Sequence, residues 1–388
     1  MRFGSLEKPA KFQYVLLWML VLMSMFCIQK NMLWRLMNLL ASNWPIIVKT
    51  NITFWTALVR VQNTLNFNVS LCLYALLKQM KGPLFYSKIL LFGEYGIIKD
   101  SKGLSIPYNF YKGALKHSKK HSTISKESNT VLQDYYQYLK AIDETLVCFN
   151  LDQMTSDICD GMYFDSSIPR GYGVGSSGAL VAAIYDRYAL DKVTVLENLT
   201  RDKLLKLKVI FAEMESFFHG KSSGLDPLNS YLSLPILISS QNDIEATGIP
   251  SQNTKGQGAV FLLDSGMVGE TAPMVHLFMQ KMKEEGFRTM LKNQFIKHTD
   301  ACVEDFLKGD IKSLFRNTKK LSKVVLNHFK PMIPKKFHQV WASGIESNAY
   351  YLKLCGSGGG GYILGFTENI GNARKVLSGH KLEVVYTF

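Results

Sequence analysis

The 388-residue sequence contains no C-x-x-C pair. Its six cysteines, at 27, 72, 148, 159, 302 and 355, match neither a zinc-ligand spacing nor a disulfide framework, so a reducing, cytoplasmic setting is expected. The eight histidines form no metal spacing either. The apolar run Val15–Ile28, "VLLWMLVLMSMFCI", stops short of the roughly 20 residues that a spanning helix needs. No small-x-small cleavage site follows it, so a signal-peptide reading fails as well. No internal repeat is present. The polar stretch Ser239–Gly258 is too short to count as low complexity.

Residues 1–79 lack more. They hold one of the 29 glycines, no aspartate and a single acid, Glu7, against eight Lys/Arg, yet four of the five tryptophans. A folded domain of that size normally needs turn residues in quantity. The remaining 309 residues carry 37 basic and 30 acidic side chains, so each part contributes +7 to the net charge of +14. The segment 1–79 therefore reads as foreign to the rest. It is either a membrane-associating extension or residues upstream of a chain start at Met80, and the second reading is preferred.

Beyond Met80 the pattern is mixed α/β. Ser87–Ile98, "SKILLFGEYGII", predicts a strand, a glycine turn and a second strand. Asn129–Leu146 predicts an amphipathic helix, and "GMYFDSSIP" a strand. A helix running to about Leu190 follows a glycine loop. Arg201–Gly220 predicts another helix, closed by Gly220. Ser239–Gly258 predicts a connection between two halves. Then come the strand "AVFLLDSG", a helix opened by Thr271 as N-cap, further helices to about Lys353, and a closing strand, helix and strand.

Three stretches carry chemistry. "PRGYGVGSSGA" (Pro169–Ala179) satisfies G-x-G-x-x-G at Gly173, Gly175 and Gly178. A dinucleotide fold would need a buried strand running straight into the first glycine, and the polar "SSIPR" stands there instead. A Walker A loop at Gly220-Lys221-Ser222 fails because Glu215 occupies the position of its first glycine. Two readings of the loop remain: a phosphate cradle of backbone amides at a helix N-terminus, or a helix cap with a tight turn. In "ESFFHGKSSGLD", Glu215 shares a helix face with Phe211 and Phe218, so it should point inward, where a carboxylate needs a partner or a cation. Glu213 should be solvated. Asp226 follows eleven residues after Glu215. In "KLCGSGGGGYILGF", the run Gly358–Gly361 is more glycine than a turn requires.

In this order the three stretches, preceded by "SKILLFGEYGII", resemble the GHMP kinase superfamily and, within it, the mevalonate kinases. The likeness covers about Met80 to Phe388 and excludes 1–79. It implies an α+β fold of two domains. The first, 80–245, would bind ATP and carry a left-handed βαβ unit. The second, 246–388, would be ferredoxin-like, with the site between them. Carried over by resemblance, Lys88 and Asp226 are catalytic and Asp226 is the base. Gly171, Gly173, Gly175, Ser176, Ser177 and Gly178 hold the nucleotide phosphates, and Ser177, with Ser176 the alternative, and Glu215 hold Mg²⁺. Glu94, Tyr95, His219, Gly358 and Gly359 line the acceptor site. The family's Gly-Glu-His reads Gly93-Glu94-Tyr95 here, and its Thr-Gly-Ala reads Cys355-Gly356-Ser357.

The implied activity is ATP-dependent phosphorylation of a small alcohol, with mevalonate the first expectation. Homoserine, a sugar or a phosphorylated intermediate is the alternative. A non-catalytic binding protein on this fold is a further rival, though it would be expected to lose Lys88, Glu215 or Asp226. No nucleic-acid partner is expected, because no aromatic residue interleaves the basic cluster Lys116–His121. A membrane partner is expected only if 1–79 is genuine, and a homodimer is left open. Cys355 has two readings, packed or open to modification.

Overall fold

β1 (Phe85–Phe92) pairs antiparallel with the long strand β2 (Gly103–His117), placing Lys88 opposite Pro107. In the computed structural model, which describes residues 83–118, 123–194 and 199–388, these two strands organise the first of two sheets. The expected second strand directly after Gly93 is instead a short 3₁₀ turn, Gly96–Lys99. Tyr95 and Asp100 flank that turn at φ 59° and 58°, which turns the chain before β2 begins at Gly103. The readings made on residues 1–79 and on Met80 lie outside the described residues.

α1 (Thr123–Lys140) starts six residues before the expected helix and ends at Lys140. α2 (Leu151–Cys159) and β3 (Met162–Ser166) follow. The glycine loop then opens α3 (Ser176–Tyr188), which is buried from Gly178 to Tyr185. α4 (Arg201–His219) is capped at one end by the Thr200 side chain and stopped at the other by Gly220, φ 72°. α5 (Leu225–Leu232) has Gly224 as N-cap and Pro227 in its first turn, where a missing N–H does no harm.

The polar connection after Ser239 is shorter than expected. β4 (Ile236–Ser240) ends two residues into it and pairs as a hairpin with β5 (Asp243–Ala246), which lies wholly within it. The first sheet runs β1-β2-β4-β5, and β3 is also paired to β2. β3 lies beside the end of β2 and β4 beside its start, both antiparallel to it, so β3 and β4 run parallel to one another. The crossover joining them comprises α3, α4 and α5.

The second sheet consists of β6 (Ala259–Asp264), β7 (Tyr351–Leu354), β8 (Tyr362–Thr367) and β9 (Leu382–Thr387), in the order β7-β8-β6-β9, all antiparallel. That order, with α11 (Ile370–Val376) between β8 and β9, is ferredoxin-like. Between β6 and β7 lie α6 (Thr271–Lys281), α7 (Glu285–Met290), a π-helical turn (Leu291–Ile296), α8 (Lys297–Lys308), α9 (Ile311–His328) and α10 (His338–Ser347). Thr271 is the first residue of α6 rather than its cap; Glu270 holds that place without a side-chain bond. On α9 the buried positions Leu314, Thr318, Leu321 and Val325 recur every three or four residues, the spacing that presses one helix face onto a core.

The α+β fold expected from the sequence is present. Phe92 of the first sheet stacks on Phe366 of the second, ring centroids 5.2 Å apart. Among the described residues no helix is long and apolar enough to cross a membrane.

Candidate active site

Lys88 sits mid-strand with its side chain only 5% exposed, and its ammonium lies 2.8 Å from Asp226 Oδ1. Strand geometry aims the lysine and the first turn of α5 presents the carboxylate, near a helix N-terminus that favours an anion. Burial alone would lower the Lys88 pKa. The Asp226 charge and hydrogen bond override it and hold the value above the ordinary 10.5. The Asp226 side chain is 35% exposed, so part of it faces open space.

The glycine loop wraps this pair. Lys88 N–H donates to Val174 O at 3.1 Å, which ties the loop to the free edge of β1. A Cβ on Gly178 would lie 2.7 Å from the Asp226 carbonyl carbon, so only glycine lets α3 approach the start of α5 this closely. At Gly175, φ 79°, a Cβ would touch the Lys88 stem at 3.1 Å. Ser176 is the first residue of α3 and Gly171 lies against Val268 and Gly269.

Ser177 Oγ donates to Glu215 Oε1 at 2.9 Å and lies 3.0 Å from His219 Nε2. Ser222 Oγ donates to the other carboxylate oxygen at 2.6 Å. Glu215 is buried, as its helix spacing implied. Burial and then the Asp226 charge raise its pKa to about 7, against the two hydroxyl bonds that lower it. Glu213 is exposed, as expected, although Tyr138 Oη donates to its carbonyl at 2.9 Å.

This donor set fits a hard divalent cation. It offers a hydroxyl and a buried carboxylate whose direct partners among the described residues are the hydroxyls of Ser177 and Ser222. Among the described residues no cluster of three His, Cys, Asp or Glu forms a protein-only cage. A cation held here would complete its shell with phosphate oxygens and water, the habit of Mg²⁺.

The last glycine run packs on the first. A Cβ on Gly173 would stand 2.5 Å from Cys355 O, so the two loops meet backbone to backbone. Gly359 N–H donates to Met332 O at 2.7 Å, and Gly358 lies against the same carbonyl. Cys355 is buried and its thiol is pushed up to about 11, chiefly by burial, which favours the packed reading.

Tyr95 and Glu94 are buried beside this run. Tyr95 stacks on Phe278 at 4.6 Å and donates its hydroxyl to Ser357 O at 2.7 Å. Glu94 forms a 2.5 Å ion pair with Lys353 Nζ. Burial raises the Glu94 pKa, and Lys353 works against that rise. The structure thus brings together Lys88, Asp226, Ser177, Glu215 and His219, pairs Glu94 with Lys353 of the second sheet, and seats Tyr95 between Phe278 of α6 and the last glycine run. Sequence reasoning missed two participants, Ser222 and Lys353. The lysine left a signal: it is the one charged residue in the apolar strand "YLKLC".

Residues 137–233 match the family described as GHMP kinases N terminal domain, a span that includes the glycine loop, Glu215 and Asp226 but not Lys88. Comparison with curated protein sequences gave no match. The fold is similar to that of the L. major mevalonate kinase in complex with R-mevalonate, at TM-score 0.53 and 16% identity over 78% of this chain and 95% of that one. It is also similar to the Streptococcus pneumoniae phosphomevalonate kinase in complex with phosphomevalonate and AMPPNP (TM-score 0.51, 12% identity, 78% and 99% covered). A third is the Lactococcus lactis galactokinase complexed with galactose (TM-score 0.52, 12% identity, 80% and 94% covered). The chain resembles the GHMP kinases, the mevalonate kinases among them, and has their two-domain α+β fold.

Proposed function

We propose that this chain is an ATP-dependent kinase that phosphorylates the hydroxyl of a small metabolite. Mevalonate is the first acceptor to test. The observation that carries the reading is the 2.8 Å Lys88–Asp226 pair, set against a glycine loop whose helix begins at Ser176. Asp226 is partly exposed beside the buried Lys88 ammonium, placed to orient the acceptor hydroxyl and take its proton. Lys88 balances charge developing on the transferred phosphoryl group. Positioning and charge stabilisation supply most of the rate in this chemistry. The free amides at the start of α3 suit phosphate oxygens, and the glycines let them come close. Ser177 and Glu215 would hold Mg²⁺, which when bound neutralises phosphate charge.

In this reading 80–245 supplies the nucleotide half and 246–388 the closing half of a cytoplasmic enzyme. Its substrates are ATP and a small alcohol. The variety of similar folds supports a second acceptor class, homoserine, a sugar or a phosphorylated intermediate. Incubation with MgATP and a panel of these alcohols, with ADP release as readout, tests both. One acceptor should raise ADP release well above the rate without acceptor. No stimulation by any alcohol would overturn the reading.

A further inference from the structure

His219 occupies the last turn of α4, exposed, with Nε2 3.0 Å from Ser177 Oγ. A serine hydroxyl has one proton, and here Glu215 Oε1 receives it at 2.9 Å. His219 Nε2 must then be the donor to Ser177 in this arrangement.

A cation shared by Ser177 and Glu215 changes the requirement. Both oxygens would turn lone pairs to the metal, and the serine proton can no longer lie between them. Among the described side chains, His219 Nε2 is the other group within hydrogen-bond reach of that hydroxyl. Ser222 is already committed to the second Glu215 oxygen at 2.6 Å.

We propose that His219 is a positioning residue for the cation site: its Nε2 accepts the Ser177 hydroxyl hydrogen and so turns the serine lone pairs toward the metal. The inference rests on the kinase reading for the identity of the site, but concerns binding rather than turnover. The imidazole makes the matching change of tautomer, with its proton at Nδ1. Groups that orient metal ligands in this way are worth about 10- to 100-fold in metal affinity.

The test is Mn²⁺ titration of the full chain saturated with AMPPNP, followed by the EPR signal of free Mn²⁺. His219→Phe keeps the ring and removes the acceptor, and is expected to weaken Mn²⁺ binding about tenfold. His219→Gln restores an acceptor at the Nε2 position and should bind within about twofold of the parent chain. In a Ser177→Ala background the Phe substitution should have no further effect, because its partner is gone. Unchanged thermal midpoints establish that the variants are folded. The proposal is overturned if His219→Phe binds Mn²⁺ like the parent, if Gln fails to restore binding, if the loss persists without Ser177, or if the parent binds no Mn²⁺. ADP release with the alcohol panel is scored separately. Turnover with a silent His219 sinks this inference alone, and a His219 effect without any turnover sinks the kinase reading alone.

Discussion

Glu94 and Lys353 are 259 residues apart in sequence and 2.5 Å apart in space, and both are buried. The pair joins the turn after β1 to the strand that leads into the last glycine run. Lys353 also donates to Leu354 O at 2.8 Å, so its ammonium is held from two sides.

Removing one partner strands the other. Lys353→Met leaves a buried carboxylate unpaired, and is expected to destabilise the protein by about 3–5 kcal/mol. Replacing both, as Glu94→Leu with Lys353→Met, should recover much of that loss. Urea denaturation of the three variants measures it. A double variant as unstable as the single one would show that the pair is not the source.

Asp226→Asn keeps the shape of the side chain but neither accepts a proton nor balances Lys88. Turnover should fall by about 10²- to 10⁴-fold while ATP binding survives. Steady-state kinetics beside a nucleotide-binding isotherm separate the two. Retained turnover would remove Asp226 from the role of base.

Glu215 gives a pH dependence of definite sign. Its folded pKa is raised from 4.5 to about 7, so the unfolded chain gives up this proton first. The stabilising contribution is complete below pH 4.5 and is lost as pH climbs through 7. Glu215→Gln should therefore stabilise the metal-free protein at pH 8 relative to the parent, and matter little at pH 4. Thermal melts at the two pH values check this. A benefit at the acidic end only would reverse the assignment.

Gly178→Ala puts a methyl 2.7 Å from the Asp226 carbonyl carbon and 2.8 Å from Pro227 N, both backbone and unable to yield cheaply. A loss of about 1–3 kcal/mol is expected. Turnover should fall with it, because the shift moves Asp226 away from Lys88. Calorimetry and kcat on one preparation test the link.

Tyr95→Phe removes the bond to Ser357 O and keeps the stack on Phe278. The loss should be about 1 kcal/mol, with acceptor preference unaltered, since the hydroxyl is already engaged. A changed ranking of alcohols would place the phenol in contact with the acceptor.

Much of this site was legible in the sequence because its chemistry is local to short motifs. Glu215 was assigned inward from its spacing to Phe211 and Phe218, and Gly220 marked the end of α4. Lys353 was not found: its partner lies in the turn after β1, 259 residues away, and spacing along a chain carries no information about such distant pairs. The strand expected after Gly93 failed for a different reason. "YGII" looks extended by composition, but positive φ at Tyr95 and Asp100 coils it. The hairpin of β4 and β5 was hidden because β5, "DIEA", is a four-residue edge strand with one buried side chain and little apolar alternation to show.

Gly173 rests against the Cys355 carbonyl, and Gly361 against the Cα of Tyr172. Where the two glycine loops meet, the surface is therefore peptide, not side chain. Point substitution can add bulk to such a surface but cannot exchange its amides and carbonyls for other chemistry. An inhibitor anchored on those groups would leave the protein few single-residue routes of escape, since a replacement large enough to crowd the inhibitor would first crowd the opposite loop.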